Sequence, residues 1–278
     1  GQISIKQAIA KSCNVTMMQI NEKLGAGQFT RYQSIFGFGQ YTGIDLPGEA
    51  SASSLIYTAD DIGPTDLAIN SFGQGFNCTM IQLGAGFCSL INGGNYYQPH
   101  VVKEIRNSEG GTVDTIDKKL MKKTVSKSTS NTIKKYLKEV VDSGTGTGCQ
   151  ISGYELGGKT GTAEKLPRGN GKYLLSFIGF APYDHPEVLV YVTVDEINLS
   201  PQDQTSYAVH LARKIFTQVL PYLGIEQVKT DDEDKEIVNV NENGTAVSDN
   251  GDKASDYLKE IDDVAEVTTE AALTEAEQ

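Results

Sequence analysis

Cysteine, histidine and long apolar runs are all scarce in this chain, and each scarcity removes a class of function. The four cysteines, Cys13, Cys78, Cys88 and Cys149, match no Cys-x-x-Cys or Cys/His zinc spacing. Four cysteines could pair in three ways, but Cys78 and Cys88 would lie about 15 Å apart along a shared helix, too far for a disulfide. Free, mostly buried thiols are the expectation. The three histidines, His100, His185 and His210, are widely scattered and read as structural or exposed rather than as a metal set. No stretch approaches the roughly 18 consecutive apolar residues of a membrane span, and residue 1 is glycine rather than part of a basic, apolar leader. The expectation is a soluble chain, or one whose targeting segment lies outside it.

What is present suffices for a full core. The chain has 278 residues, 38% of them apolar, a length that suits one large domain or two small ones. Its net charge of -12 is concentrated at one end. From Glu226 to Gln278 there are 17 acidic residues against 4 lysines, which leaves 19 acids and 20 bases before them. The expected organisation is therefore a near-neutral globular part over 1–225 and an acidic tail over 226–278. With Tyr257 as its one aromatic residue and runs such as Asp231-Asp232-Glu233-Asp234, the tail has the composition of a disordered segment. A short helix near 254–264 is its one candidate element. It reads as a solubilising spacer, with docking to a basic partner as the functional alternative.

Periodicity orders the rest. Ile5 and Ile9 share a helix face, and Val15, Met18, Ile20 and Leu24 mark a second helix ending at Gly25, with Ser12-Cys13-Asn14 at the junction. A Gly-rich and Pro-punctuated region over 36–49 is loop. Another helix carries Met80, Leu83, Phe87 and Leu90 and stops at Gly93-Gly94. In the lysine-dense stretch 118–138, Ile133, Leu137, Val140 and Val141 form a core stripe while the lysines read as a solvated face. Strands follow at 154–164, 172–180 and 187–194, and their short connections make an antiparallel meander. A last helix is expected from Ser200-Pro201-Gln202-Asp203, a cap signature, to Gly224, with Tyr207, Leu211, Ile215, Val219, Leu220 and Leu223 facing the sheet. The fold class is α/β of the α+β kind, an antiparallel sheet packed against helices.

Lys159-Thr160-Gly161-Thr162, on the first of these strands, is the most informative segment. A Lys-Thr-Gly triplet alone arises by chance in about one chain of this size in twenty. Order and context raise its weight: Ser12-Cys13-Asn14 at a helix junction comes first, and two antiparallel strands and an amphipathic helix come after. With a preceding Ser-x-x-Lys, this pairing marks class A β-lactamases and penicillin-binding proteins. Together with Thr42-Gly43-Ile44-Asp45-Leu46-Pro47-Gly48-Glu49, Ser71-Phe72-Gly73-Gln74-Gly75 and Ser176-Phe177-Ile178-Gly179-Phe180-Ala181-Pro182, the chain resembles the later part of the transpeptidase domain of a class B penicillin-binding protein. The resemblance runs from about residue 2 to about residue 225.

It implies a partial β-lactamase/D,D-peptidase-like fold with three of five sheet strands, leaving the strand at 187–194 with a long apolar edge. It also implies roles. Ser12 would relay a proton to the leaving amine. Asn14 would bond the acyl side chain and steady a general-base lysine, and Lys159 would place positive charge beside Ser12. Thr160 and Thr162 would bind the carboxylate of a D-Ala-D-Ala stem peptide or of a β-lactam, with Thr162 N–H as an oxyanion donor and Gly161 keeping the strand accessible. The plain counterparts are a helix N-cap for Ser12, a turn residue for Asn14, a protective edge lysine for Lys159 and ordinary strand formers for the threonines. No serine is followed three residues later by lysine, so the family's nucleophile motif is missing and truncation is the simplest account. The implied parent is a peptidoglycan D,D-transpeptidase, anchored at the extracytoplasmic face of the bacterial membrane in a cell-wall synthesis complex, while this chain alone is inactive. The alternative is a non-catalytic β-lactam-sensing or scaffold module; a β-lactamase is weaker, since hydrolytic members generally lack the Gly73-Gln74-Gly75 type of segment. No metal, cofactor or nucleic-acid partner is expected.

Overall fold

Ser4 opens the first helix, α1 (Ile5–Ala10), in a capping box with Gln7. The computed structural model describes residues 2–228, which fall in one compact unit spanning Gly1–Lys229. The expected tail helix at 254–264 lies outside the described residues. After α1 come α2 (Asn14–Leu24) and α3 (Ala26–Ile35), joined at Gly25, whose φ of 78° suits glycine. Next is α4 (Pro64–Asn70), which has proline in its first turn. Thr79 caps α5 (Met80–Ile91) by accepting from the Gln82 N–H. Between α3 and α4 the Gly-rich loop is held by Glu49, whose carboxylate accepts from Thr42 N, Thr42 Oγ1 and Gly43 N at 2.6, 2.7 and 3.1 Å. Asp45 of the same loop accepts from the Val101 and Val102 amides.

Two small ribbons follow, β1 (Asn95–Tyr97) with β4 (Leu120–Lys123) and β2 (Glu104–Arg106) with β3 (Thr112–Thr115). Neither they nor α3 and α4 are expected from periodicity; the ribbon strands, of three or four residues, are too short to show one. Then comes α6 (Lys127–Ser143), capped by Ser126, with Leu137, Val140 and Val141 buried as its stripe requires.

The main sheet is the expected antiparallel meander of β5 (Gly157–Glu164), β6 (Tyr173–Ala181) and β7 (Val188–Asp195), in the order β5-β6-β7. The first strand starts three residues later than expected, and Tyr154 pairs only with Ile151 in an isolated bridge. In the pairing Lys159↔Ile178 and Gly161↔Ser176, side chains of opposed residues share a face. One face buries Phe180 against Ile91 of α5 and Leu137 of α6, with Phe87, Ile133 and Leu189 around them. On the other, Phe177 and Phe216 of α7 (Ser206–Tyr222) both border Gly179, where an added Cβ would stand 2.6 and 3.0 Å from them. Phe177, Phe180 and Phe216 are fully buried, and each burial stabilises the fold by roughly 1.5–3 kcal/mol. The glycines before Lys159 make this possible: a Cβ at Gly157 would stand 2.4 Å from Phe180 Cζ, and one at Gly158 2.6 Å from Phe177 Cζ.

The last helix departs from expectation. It opens at Ser206, six residues after Ser200, and its N-cap Thr205 makes no side-chain cap bond. Its buried residues are Tyr207, Ala208, Val209, Ala212, Phe216 and Leu220; Leu211, Ile215 and Val219 are half-buried, and Leu223 is exposed. Packing decides this, since Ala208 and Ala212 let the backbone approach the sheet, and helix stability in proteins comes chiefly from such burial rather than from local signals. Cys78 lies outside α5. All four thiols are free; Cys149 is buried and the other three half-buried, fewer buried than expected, and burial pushes the Cys149 pKa up to about 12.

Candidate functional site

Ser12 is the residue after the C-cap of α1. Its N–H donates to Ile9 O at 3.1 Å, and the Cys13 N–H donates to Ala8 O at 2.8 Å, the paired bonds of a Schellman cap. That motif needs a left-handed residue, usually glycine, and Ser12 adopts it with φ 52°. The N-cap alternative for Ser12 is thereby corrected: Cys13 holds the N-cap position of α2 and makes no side-chain cap bond. The geometry turns the Ser12 hydroxyl toward the sheet, where its Oγ accepts from Lys159 Nζ at 2.8 Å.

Lys159 also donates to Thr160 O at 3.0 Å. Among the described residues no carboxylate forms a salt bridge with it. Burial of the ammonium, uncompensated by a counter-charge, lowers its pKa from 10.5 to about 8. It therefore remains mostly protonated near neutral pH, a desolvated cation beside a hydroxyl and receptive to an anion. Among the described residues there is no group of three His, Cys, Asp or Glu that could hold a metal.

Thr162 O accepts from Gln74 Nε2 at 3.4 Å, a donor outside the sheet. In an antiparallel ladder the N–H and C=O of one residue point to the same side, so the Thr162 amide also lies on the unpaired edge of β5. That edge can take an added strand. Thr160 is 8% exposed, and its hydroxyl bonds Thr145 Oγ1 at 2.6 Å. A Cβ at Gly161 would stand 2.5 Å from Ser176 Oγ, the hydroxyl of the residue opposed to it in β6.

The structure thus brings Ser12 together with Lys159 and, through the strand, with Thr160, Gly161 and Thr162. Asn14 is the exposed first residue of α2, and no hydrogen bond joins its side chain to Lys159. Three neighbours escape sequence reasoning: Thr145, Gln74 and Arg168, whose Nη2 donates to Gln74 Oε1 at 3.2 Å. The signal for Gln74 is its place in Gly73-Gln74-Gly75. Thr145 sits in a Gly-Thr-Gly-Thr-Gly run that carries no chemistry of its own.

Comparison with known proteins gives the family. A model of the penicillin binding protein transpeptidase domain matches residues 1–220. Stage V sporulation protein D of Bacillus subtilis is 37% identical over 242 residues, covering 82% of this chain and 36% of that protein. The crystal structure of the D,D-transpeptidase domain of a peptidoglycan glycosyltransferase from Eggerthella lenta superposes with a TM-score of 0.67 at 26% identity, covering 79% of this chain and 55% of the other. Penicillin binding protein 3 from Mycobacterium tuberculosis, solved in complex with ampicillin, shares the fold with a TM-score of 0.72 at 24% identity, over 82% of this chain and 53% of that one. The chain spans about a third of the length of its curated relative. On the family match and on this identity, the chain belongs to the penicillin-binding protein transpeptidase domain family.

Proposed function

We propose that this chain forms the substrate-binding and proton-relay wall of a serine D,D-transpeptidase that cross-links peptidoglycan stem peptides and binds β-lactams at the same place. The observation that carries it is the 2.8 Å bond from Lys159 Nζ to Ser12 Oγ, which joins the α1–α2 junction to the open edge of β5. Acyl transfer needs a nucleophile, a proton carrier, oxyanion donors and a hold on the substrate. Ser12 with the Lys159 cation carries the proton, the Thr162 N–H is one oxyanion donor, and Thr160 and Thr162 contribute hydroxyls to the hold on a terminal carboxylate. Asn14 holds the acyl side chain and steadies a general-base lysine.

The nucleophile is a serine of a Ser-x-x-Lys segment absent from these 278 residues. Its Oγ bonds to the carbonyl carbon of the penultimate D-alanine as the C–N bond to the last D-alanine breaks. Its proton passes through the base lysine and Ser12 to the leaving amine. An amine of a second stem peptide then takes the acyl group and frees the serine. The parent works at the extracytoplasmic face of the membrane, held there by an anchor, within a cell-wall synthesis complex.

Labelling with a fluorescent penicillin tests this. Full-length wild-type protein is expected to label covalently, Lys159→Ala to label at least tenfold more slowly, and the 278-residue chain not to label. Rapid labelling of Lys159→Ala would overturn the role of this lysine, and a folded full-length protein that never labels would favour a non-catalytic module.

A further inference from the structure

Gln74 links two segments that meet over the open edge of β5. Its Nε2 donates to Thr162 O at 3.4 Å, and its Oε1 accepts from Arg168 Nη2 at 3.2 Å. Chemistry fixes which way this amide points, since a guanidinium only donates and a backbone carbonyl only accepts. Arg168 is exposed and lies in the β5–β6 connection, whose base is fastened by Lys165 and Lys172, 2.6 and 2.7 Å from the two carboxylate oxygens of Glu196. Gln74 itself sits between glycines with φ of 86° and 80°. A Cβ on Gly73 would meet nothing within 4 Å, whereas one on Gly75 would stand 3.0 Å from Asn70 Nδ2, so the segment is packed on one side of Gln74 and open on the other. At 3.4 Å the bond to Thr162 O is longer than the usual N–H···O range, and a better-placed donor displaces it.

We propose that Gln74 is a specificity-determining gate: its amide occupies the Thr162 carbonyl until a ligand's own amide N–H replaces it, and Arg168 is the positioning residue that holds it there. This rests on the reading that the edge of β5 receives a peptide-like ligand as an added strand, with a ligand N–H donating to Thr162 O. Two donors then compete for one acceptor. A ligand with an acylamino N–H beside its reacting carbonyl must displace Gln74 before it bonds the edge, and a ligand without that N–H leaves the contact in place. The gate therefore acts against the first kind relative to the second. Arg168 strengthens it by holding Gln74 Oε1 on the side away from the strand, which keeps Nε2 on Thr162 O.

The test compares acylation of the full-length protein by benzylpenicillin, which carries an acylamino N–H, and by a carbapenem, which carries a hydroxyethyl group instead. In Gln74→Ala the ratio of the two acylation rate constants, penicillin over carbapenem, is expected to rise about fivefold. Gln74→Glu, which keeps the tie to Arg168 but has no proton for Thr162 O, should raise it as well. Arg168→Ala should raise it by less, and the double variant Gln74→Ala with Arg168→Ala should match Gln74→Ala alone, because Arg168 acts through Gln74. The ratio is read on the acylatable fraction, so partial misfolding does not move it. A ratio that is unchanged or lowered in Gln74→Ala, or an effect of Arg168→Ala that adds in full to that of Gln74→Ala, overturns the inference while the transpeptidase reading stands. A wild-type protein that neither compound acylates overturns the reading on which the inference rests, and the inference with it.

Discussion

Ser12 occupies a backbone region that glycine fills at lower cost, and what serine adds there is the hydroxyl that accepts from Lys159 Nζ. Relief of left-handed strain is worth roughly 1–2 kcal/mol, offset by roughly 0.4–1 kcal/mol of added unfolded-chain entropy. Ser12→Gly is therefore expected to raise stability by about 0.5–1 kcal/mol, seen as a higher urea midpoint at unchanged slope, while penicillin acylation of the full-length protein falls. A less stable glycine variant would mean that the hydroxyl, not the backbone, holds the turn. Lys159 gives a second signature. On the proposed role its cationic form serves the site, so acylation should decline as pH rises through about 8. Stability should respond with the opposite sign. Between about 8 and 10.5 the unfolded chain retains a proton that the folded lysine has shed, so this group makes stability rise with pH over that window. Comparing Lys159→Met with wild type across it isolates the contribution.

Strand β5 is built for the packing behind it as much as for the edge in front. Gly158 faces the Phe177 ring at a distance that admits no Cβ, and Ile178 O would stand 2.9 Å from one. Gly158→Ala is expected to cost about 1–3 kcal/mol through overpacking, measurable as a lower melting temperature. An unchanged melting temperature would show that the rings can shift without loss. The meander was legible because each strand carries β-formers bounded by turn residues. The glycines read only as part of a motif, because their partners, Phe177 and Phe180, lie in the next strand. The start of α7 was misread for a related reason: Ser200 and Asp203 have the right chemistry to cap, yet the sheet selects the register that brings Ala208, Ala212 and Phe216 against it.

At the scale of the molecule, the outer edge of β7 has no strand partner among the described residues. Its Val190 and Val192 are buried on the face while the edge amides remain available for pairing. The 278-residue chain by itself is expected to associate with a second copy in a concentration-dependent way, detectable by sedimentation. A monomer that unfolds sharply at every concentration would count against it. The family and the helix-then-meander order were legible along the chain, because motif chemistry and hydrophobic period are local properties, and the same motifs nominated Ser12, Lys159 and Thr162 as candidates. Tertiary structure alone decided that Ser12 is a left-handed cap residue rather than an N-cap, that Lys159 loses basicity, and that Thr145 stands beside Thr160. The first is set by backbone geometry at the α1–α2 junction, and the other two by segments distant in the chain packing together, so burial and backbone conformation, not residue type, set the chemistry.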